Sequence, residues 1–304
     1  MDKASQPNIY RYFNPRLWWH VSWVIIVVCL LVIVIIKPRW GIDFTGGSLL
    51  EIPGSPEQAA AVEVILRDEM KLTVTVQTTQ EKTLLVRTNT LSQDEFVAVK
   101  QRLQGANLLP GEVLRFESIG PTIGAELRQK SWLALLLTLG LIIAYLAYTF
   151  RGARGLMASW KFGVAAIYAL LHDLAFVTAV FVVLGKWKGI EIDTLFVTAQ
   201  LAIFGYSTND TIIIFDRLRS EWVATRGQDL RALLSKAIGD TLMRSLNTSL
   251  TILVVLLALL FFGGASIRWF ILAMTIGTVV GTYSSIFVAA PCLYYLSRGK
   301  KTWR

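Results

Sequence analysis

Two histidines and two cysteines are all that these 304 residues contain. So few imidazoles exclude a His-based metal centre, which draws three or four ligands from one locality. Cys29 and Cys292 both fall inside apolar stretches, which excludes a disulfide framework and leaves the redox compartment unreadable. Charge is sparse too, at 17% of residues, against about 25% in ordinary soluble domains. No GxGxxG or GK[ST] pattern surrounds Gly46–Gly47, so that pair is no phosphate cradle. Neither a metal-ligand cluster nor a nucleophile–base arrangement appears. The chain reads as a protein that is not an enzyme and carries no cofactor.

What is abundant is apolar sequence, 54% of the chain. Six long stretches stand out, about 18–36, 132–150, 162–184, 194–215, 246–264 and 269–295. A helix needs about 20 residues, at 1.5 Å each, to cross about 30 Å of hydrocarbon. The pattern therefore predicts an α-helical membrane protein with six transmembrane helices. The first stretch is too long for a leader and lacks a small-residue cleavage site after it, so it is expected to be a retained anchor.

Basic residues set the orientation. Lys3, Arg11 and Arg16 lie in an arm, 1–17, ahead of the first helix at 18–37. Arg151, Arg154 and Lys161 join the second and third helices, and Arg217, Arg219, Arg226, Arg231 and Lys236 lie between the fourth and fifth. Arg298, Lys300, Lys301 and Arg304 end the chain in a tail, 298–304. An even number of crossings puts all of these on one side, so both termini of a multi-pass membrane protein are expected in the cytoplasm. The insert at 38–128 carries nine basic and twelve acidic residues. The overall +9 thus reflects membrane topology and does not point to nucleic acid.

The insert has a rhythm of its own. Ile42–Ile52 alternates, Pro56 opens an amphipathic run to Met70, and Leu72–Thr78 and Thr83–Thr88 are β-rich. Ser92 with Glu95 three residues on forms a capping box for a helix to Leu103, and Glu112–Ile119 is a last strand. The order β-α-β-β-α-β predicts an α+β ferredoxin-like domain on the extracytoplasmic side. Helices two to six occupy 129–297. Within them, 217–243 spaces Leu230, Leu233, Leu234, Ala237 and Ile238 as an amphipathic helix or helix pair along the cytoplasmic surface.

The chemistry lies in the polar residues of the apolar stretches. Asp210 sits in the fourth, where an ionisable group costs several kcal/mol and is seldom accidental. Gln200, Ser207, Asp210 and Thr211 share a helical arc of about 100°, with Asn209 turned away. Arg244, Asn247, Thr248 and Thr251 form a stripe on the fifth helix, and antiparallel geometry puts Asp210 and Arg244 at similar depth. A carboxyl whose distance to a guanidinium changes with conformation changes its proton affinity, which couples protonation to shape. The alternative is a static pair that glues two helices. His172 and Asp173 diverge by 100° on the third helix, and read either as a helix-packing pair or as a second proton site. Asp216 and Arg217 read as a local salt bridge. Gly277, Gly281 and Ser285, four residues apart, offer a close-packing face for another helix, internal or in a partner. Lack of a dense oxygen-ligand cluster favours protons over sodium as coupling ion.

Taken together, GIDFTGG (41–47), IGPTIGAEL (119–127), ALLHD (169–173), GYSTNDTIIIFDRLR (205–219), the run opening at RSLNTSLT (244–251) and IGTVVGTYSSIF (276–287) make the chain resemble the SecD/SecF family, within the resistance-nodulation-division superfamily. The smaller, SecF-type member is the one that it is similar to. The resemblance covers nearly the whole chain and implies a SecD partner, with which six helices complete a pseudo-symmetric unit of twelve. It implies work with the Sec translocation channel, SecYEG, on an unfolded polypeptide in transit, driven by the proton motive force. It also assigns the proton relay to Asp210 and Arg244, together with an aspartate on the SecD side. Gln200 and Ser220 depart from the pattern of the family. Two other readings remain: a proton-driven small-molecule exporter, and a non-conducting scaffold or extracytoplasmic chaperone.

Overall fold

The computed structural model describes residues 14–78, 83–152, 158–225 and 229–297. Most of the basic arm and the whole tail, with Lys3, Arg11, Arg154 and Arg226, fall outside them. The chain divides into two compact units, one α+β and one helical.

The α+β unit comprises Pro38–Leu133 and Leu184–Thr194. After α1 (Pro15–Ile36) comes a single turn, α2 (Ile42–Thr45), where an extended start was expected. Then follow β1 (Gly47–Pro53), α3 (Pro56–Val64, widened into a π turn over Ile65–Glu69), β2 (Thr75–Thr78), β3 (Thr83–Thr88), α4 (Gln93–Gly105) and β4 (Arg115–Ile119). The strands lie in the order β2-β3-β1-β4, every neighbouring pair antiparallel. Period-two alternation puts Leu50, Ile52, Leu84 and Val86 on one face, where they bury against Val62, Leu66, Val99 and Leu103. Each such burial stabilises by about 1.5–3 kcal/mol. The capping box at α4 is present: Glu95 N–H donates to Ser92 Oγ, and Ser92 N–H donates to Glu95 at 2.8 Å. The Ser92 amide and the Ser92 hydroxyl, both donating to it, hold the Glu95 carboxyl below the usual glutamate range.

Gly46 and Gly47 have backbone reasons to be glycine. Both have positive φ, +73° and +123°. A Cβ on Gly46 would stand 2.9 Å from Pro121 Cα, and one on Gly47 2.8 Å from the Thr88 carbonyl oxygen. On the opposite side of that contact, a Cβ on Gly124 would stand 2.9 Å from Gly46 N. The Gly-Gly pair thus lets β1 start beneath β3 and lets the next helix, α5 (Pro121–Thr149), seat its first turn on it.

The helical unit holds α1 and most of α5, α6 (Trp160–Lys188) and α7 (Thr194–Thr225). With them are α8 (Leu230–Phe262) and a last helix made of α9 (Arg268–Ser284), a π turn (Ser285–Ala289) and α10 (Ala290–Ser297). Among the described residues five helices are long and apolar enough to cross a membrane: α1, α5, α6, α8 and Arg268–Ser297. The remaining predicted stretch, the fourth, 194–215, lies on α7, which falls outside that set. Its length suffices, but Gln200, Ser207, Thr208, Asn209, Asp210 and Thr211 make its middle too polar.

Over 217–243 the described residues form no separate helix but the end of α7 and the start of α8. α7 continues to Thr225 and α8 starts at Leu230, so the two form one hairpin. The apolar stripe Leu230, Leu233, Leu234, Ala237 and Ile238 that suggested a surface helix is buried instead, in a core with Phe150, Phe162, Phe215 and Leu218. Phe150 and Phe162 stack at 4.6 Å, with Phe215 edge-on to the latter at 5.4 Å. Arg217 does not bond to Asp216, its sequence neighbour. It turns along and across the hairpin to Glu221 and Asp240, at 2.7 and 2.6 Å, and Lys236 closes the network on Glu221.

Gly47→Ala is expected to destabilise the α+β unit by about 1–3 kcal/mol through positive-φ strain alone, with more from the clash, read as early proteolysis of the full chain. Ser92→Ala is expected to cost about 1 kcal/mol, seen as faster amide exchange over 93–105. Because the Glu95 pKa is lowered on folding, its capping contribution is present above the ordinary glutamate range and fades as pH falls through the depressed value.

Candidate functional site

One face of α7 is turned into its unit. Phe196, Ala199, Gln200, Ile203, Phe204, Ser207, Asp210, Thr211 and Ile214 are all buried, whereas Asn209 is exposed, as the helical arc requires. Asp210 is 0% exposed, and neither of its carboxyl oxygens has a hydrogen-bond partner among the described residues. The Gln200 amide is equally buried, with oxygen and nitrogen both unpaired. Thr211 satisfies its hydroxyl on the Ser207 carbonyl one turn back.

One turn from Asp210 the polar row is closed. Ser207 Oγ donates to Asp173 Oδ2 at 2.7 Å, and Ser284 Oγ donates to the same oxygen at 2.8 Å. His172 Nδ1 lies 3.1 Å from Asp173 Oδ1. Asp173 therefore joins α6, α7 and α9 in one buried hydrogen-bonded hub. The 100° divergence of His172 and Asp173 does not keep them apart, because the ring folds over onto its neighbour's short carboxyl. His172 Nε2 has no hydrogen-bond partner among the described residues, and the ring packs near Phe176 and Tyr283.

The glycines of α9 make this approach feasible. A Cβ on Gly277 would fall 2.2 Å from Ile203 Cδ1, and one on Gly281 would fall 3.0 Å from Ser207 Cβ. The face packs internally, on α7. Ser285 bonds to the Thr282 carbonyl at the start of the π turn.

On α8 the inward stripe differs from the one read in the sequence. Arg244, Asn247 and Thr251 are exposed, and Thr248 and Thr251 bond only to carbonyls of their own helix. Thr241, Ser245 and Ser249 are buried in their place. Ser249 Oγ meets Thr282 at 2.6 Å, and the Tyr206 hydroxyl donates to Ser249 at 2.6 Å. So Asp210 and Arg244 are not hydrogen-bonded to each other in this conformation. Sequence reasoning missed Tyr206, Ser249, Thr282 and Ser284. The four-residue spacings Ser245–Ser249 and Thr278–Thr282 carried the signal, masked by a second polar stripe one residue out of phase. No cluster of three metal-ligating side chains occurs among the described residues.

Ser207→Ala and Ser284→Ala are each expected to destabilise the helical unit by about 1–3 kcal/mol, since each removes a donor from a buried carboxyl. The double variant should depart from additivity by about 0.5 kcal/mol or more, because both donors share one oxygen; thermal unfolding in detergent measures the cycle.

Comparison with known proteins adds an independent line. A family description for the protein export membrane protein SecD/SecF, C-terminal, matches residues 99–299, and one for the SecD/SecF GG motif matches residues 32–57. Protein translocase subunit SecF of Anaerolinea thermophila is 37% identical over 292 residues, covering 95% of this chain and 93% of that one. Protein translocase subunit SecDF of Thermus thermophilus is 37% identical over 262 residues, covering 83% of this chain but 34% of its own. The crystal structure of SecDF, a translocon-associated membrane protein from Thermus thermophilus, superposes with a TM-score of 0.83 at 32% identity. There 98% of this chain is covered, and the chain spans 40% of the length of that protein.

Proposed function

Since this chain belongs to the SecD/SecF family of protein export membrane proteins and is an accessory subunit of Sec protein export, we propose that it works by converting the proton motive force into movement during late translocation. The observation that carries this reading is the Asp210 carboxyl, wholly buried with both oxygens unpaired. A carboxyl so placed is costly, and it persists only where a proton, water or an approaching cation meets it in the working cycle. One charge crossing the membrane potential supplies about 2.3 kcal/mol per 100 mV, enough to bias a two-state element.

Arg244 is the cation proposed to answer Asp210. It stands on the exposed stripe of α8 with Asn247 and Thr251, and such a stripe on a spanning helix needs protein or water beside it. The partner proposed to cover it is SecD. A relative named SecDF, of which this chain spans two fifths, supports that, since it carries both in one polypeptide. In the complete unit we assign α7 as a sixth transmembrane helix within a pseudo-symmetric set of twelve, both termini in the cytoplasm of the inner membrane. The α+β unit is read as ferredoxin-like on the opposite side; its antiparallel order β2-β3-β1-β4 supports the type. SecYEG and the emerging unfolded polypeptide are its working partners. No enzymatic step is assigned, and protons are the coupling ion.

Asp173 has hydrogen-bond partners on both oxygens, two of them hydroxyl donors, and fits a structural role better than an exchanging one. His172 is its neighbour in that role.

Asp210→Asn and Arg244→Met are each expected to reduce proton-driven export by about tenfold or more at equal membrane level, measured with vesicles under an imposed proton gradient. His172→Ala is expected to be milder than Asp210→Asn. Full export by either of the first two variants would overturn the relay, and the reverse order for His172 would move it to α6.

A further inference from the structure

The segment before β1 holds a charged group that the proton relay leaves unused. Asp43, half-buried in α2, accepts hydrogen bonds at one oxygen, Oδ2, from both the backbone amide and the hydroxyl of Thr194. The amide contact is 2.8 Å. Thr194 is the first residue of α7. The opening amides of a helix have no partner within it, and a side chain adjacent in sequence ordinarily supplies one. Here the acceptor comes from 151 residues away.

The chain leading into Thr194 is gripped at several points within the same unit. Trp40 and Ile192 form a parallel bridge, with Gly41 N–H donating to Ile192 and Ile192 N–H donating to Arg39, both at 2.8 Å. A Cβ on Gly41 would stand 3.2 Å from Asp193 Cβ. Glu191 pairs with Arg87 of β3, and a side chain on Gly189 (φ +70°) would collide with Gln77 of β2. Residues 189–193 are thus fastened to the sheet and to the strand-like lead from α1, and the fastening ends on α7 itself at Asp43.

We infer that Asp43 is a positioning residue: it makes the first turn of α7 follow the α+β unit, so that displacement of that unit is delivered along α7 to Asp210. The inference rests on Asp210 being the proton site. α7 is one unbroken helix from Thr194 to Thr225, and Asp210 lies about 24 Å along it at 1.5 Å per residue. Axial displacement or rotation imposed at Thr194 changes the depth and facing of Asp210. By reciprocity, a change in what Asp210 holds is felt at Thr194 and so at the sheet. Asp43 matters more than the backbone bonds beside it because its carboxyl grips the helix, whereas those bonds grip only the link.

The test uses the full chain assembled with its SecD partner in proteoliposomes, measuring proton conductance and polypeptide translocation on the same preparation. Asp43→Ala is expected to lower translocation by about tenfold while conductance stays within about twofold of the unaltered complex, because the relay persists and its linkage does not. Asp43→Asn, which keeps an oxygen where Thr194 donates, should restore most translocation. Thr194→Val removes the hydroxyl from the other side of the contact and should show a smaller loss of the same kind, which keeps the test alive should Asp43→Ala fail to assemble. Undiminished translocation by Asp43→Ala, or equal loss of both activities at equal membrane level, overturns the inference. Asp210→Asn run in parallel should lose both activities; if its conductance persists, the proton site itself is wrong and the linkage falls with it.

Discussion

The buried carboxyl of Asp173 is the constraint on which the membrane unit depends. A carboxyl at 0% exposure must have its oxygens met by donors or it forfeits several kcal/mol of desolvation. Ser207 from α7 and Ser284 from α9 meet it, and in doing so they fix how close and in what rotation three helices lie. α7 is thereby held with Asp210 inward, a turn away from the hub. One acid is locked by its neighbours so that another can be left unpaired.

The α+β unit solves a different problem. Its sheet has helices on one face, and residues 189–191 cross against Gln77 of the edge strand β2 and Arg87 of its neighbour β3. Burial and the nearby Arg39 depress the Arg87 pKa to about 10, yet at neutral pH the guanidinium is still charged and can pair with Glu191. The Gly-Gly pair, read in the sequence only as not being a phosphate loop, lets the chain turn beneath Thr88 and admits the first turn of α5. Its role is in the backbone, where it sets the start of β1 close against Thr88, Pro121 and Gly124.

Much of this could be read before the structure. Alternation and turn residues marked the four strands, and the Ser92–Glu95 spacing marked the start of α4, which runs two residues past the expected end at Leu103. Asp210 announced itself by sitting uncharacteristically in apolar sequence, and its burial on α7 follows from the arc it shares with Ser207 and Thr211. Helix phase on α8 could not be read, because polar residues occupy two stripes one position apart and only packing against α9 selects Ser245 and Ser249. What covers the stripe within 217–243 could not be read for a related reason: an apolar stripe flanked by charges looks alike whether lipid headgroups or other helices cover it. Here Phe150, Phe162 and Phe215 cover it. Long-range bonds such as those from Thr194 to Asp43 leave no periodic trace at all.

The contact between Gly281 and Ser207 has a consequence for how such a chain can vary. The room there is enough for one methylene, and the serine occupies it. A side chain gained at position 281 must be offset by one lost at 207, but a glycine at 207 gives up the hydroxyl that Asp173 accepts. The two positions are therefore not free to drift separately, and volume and chemistry are inherited together as a single character.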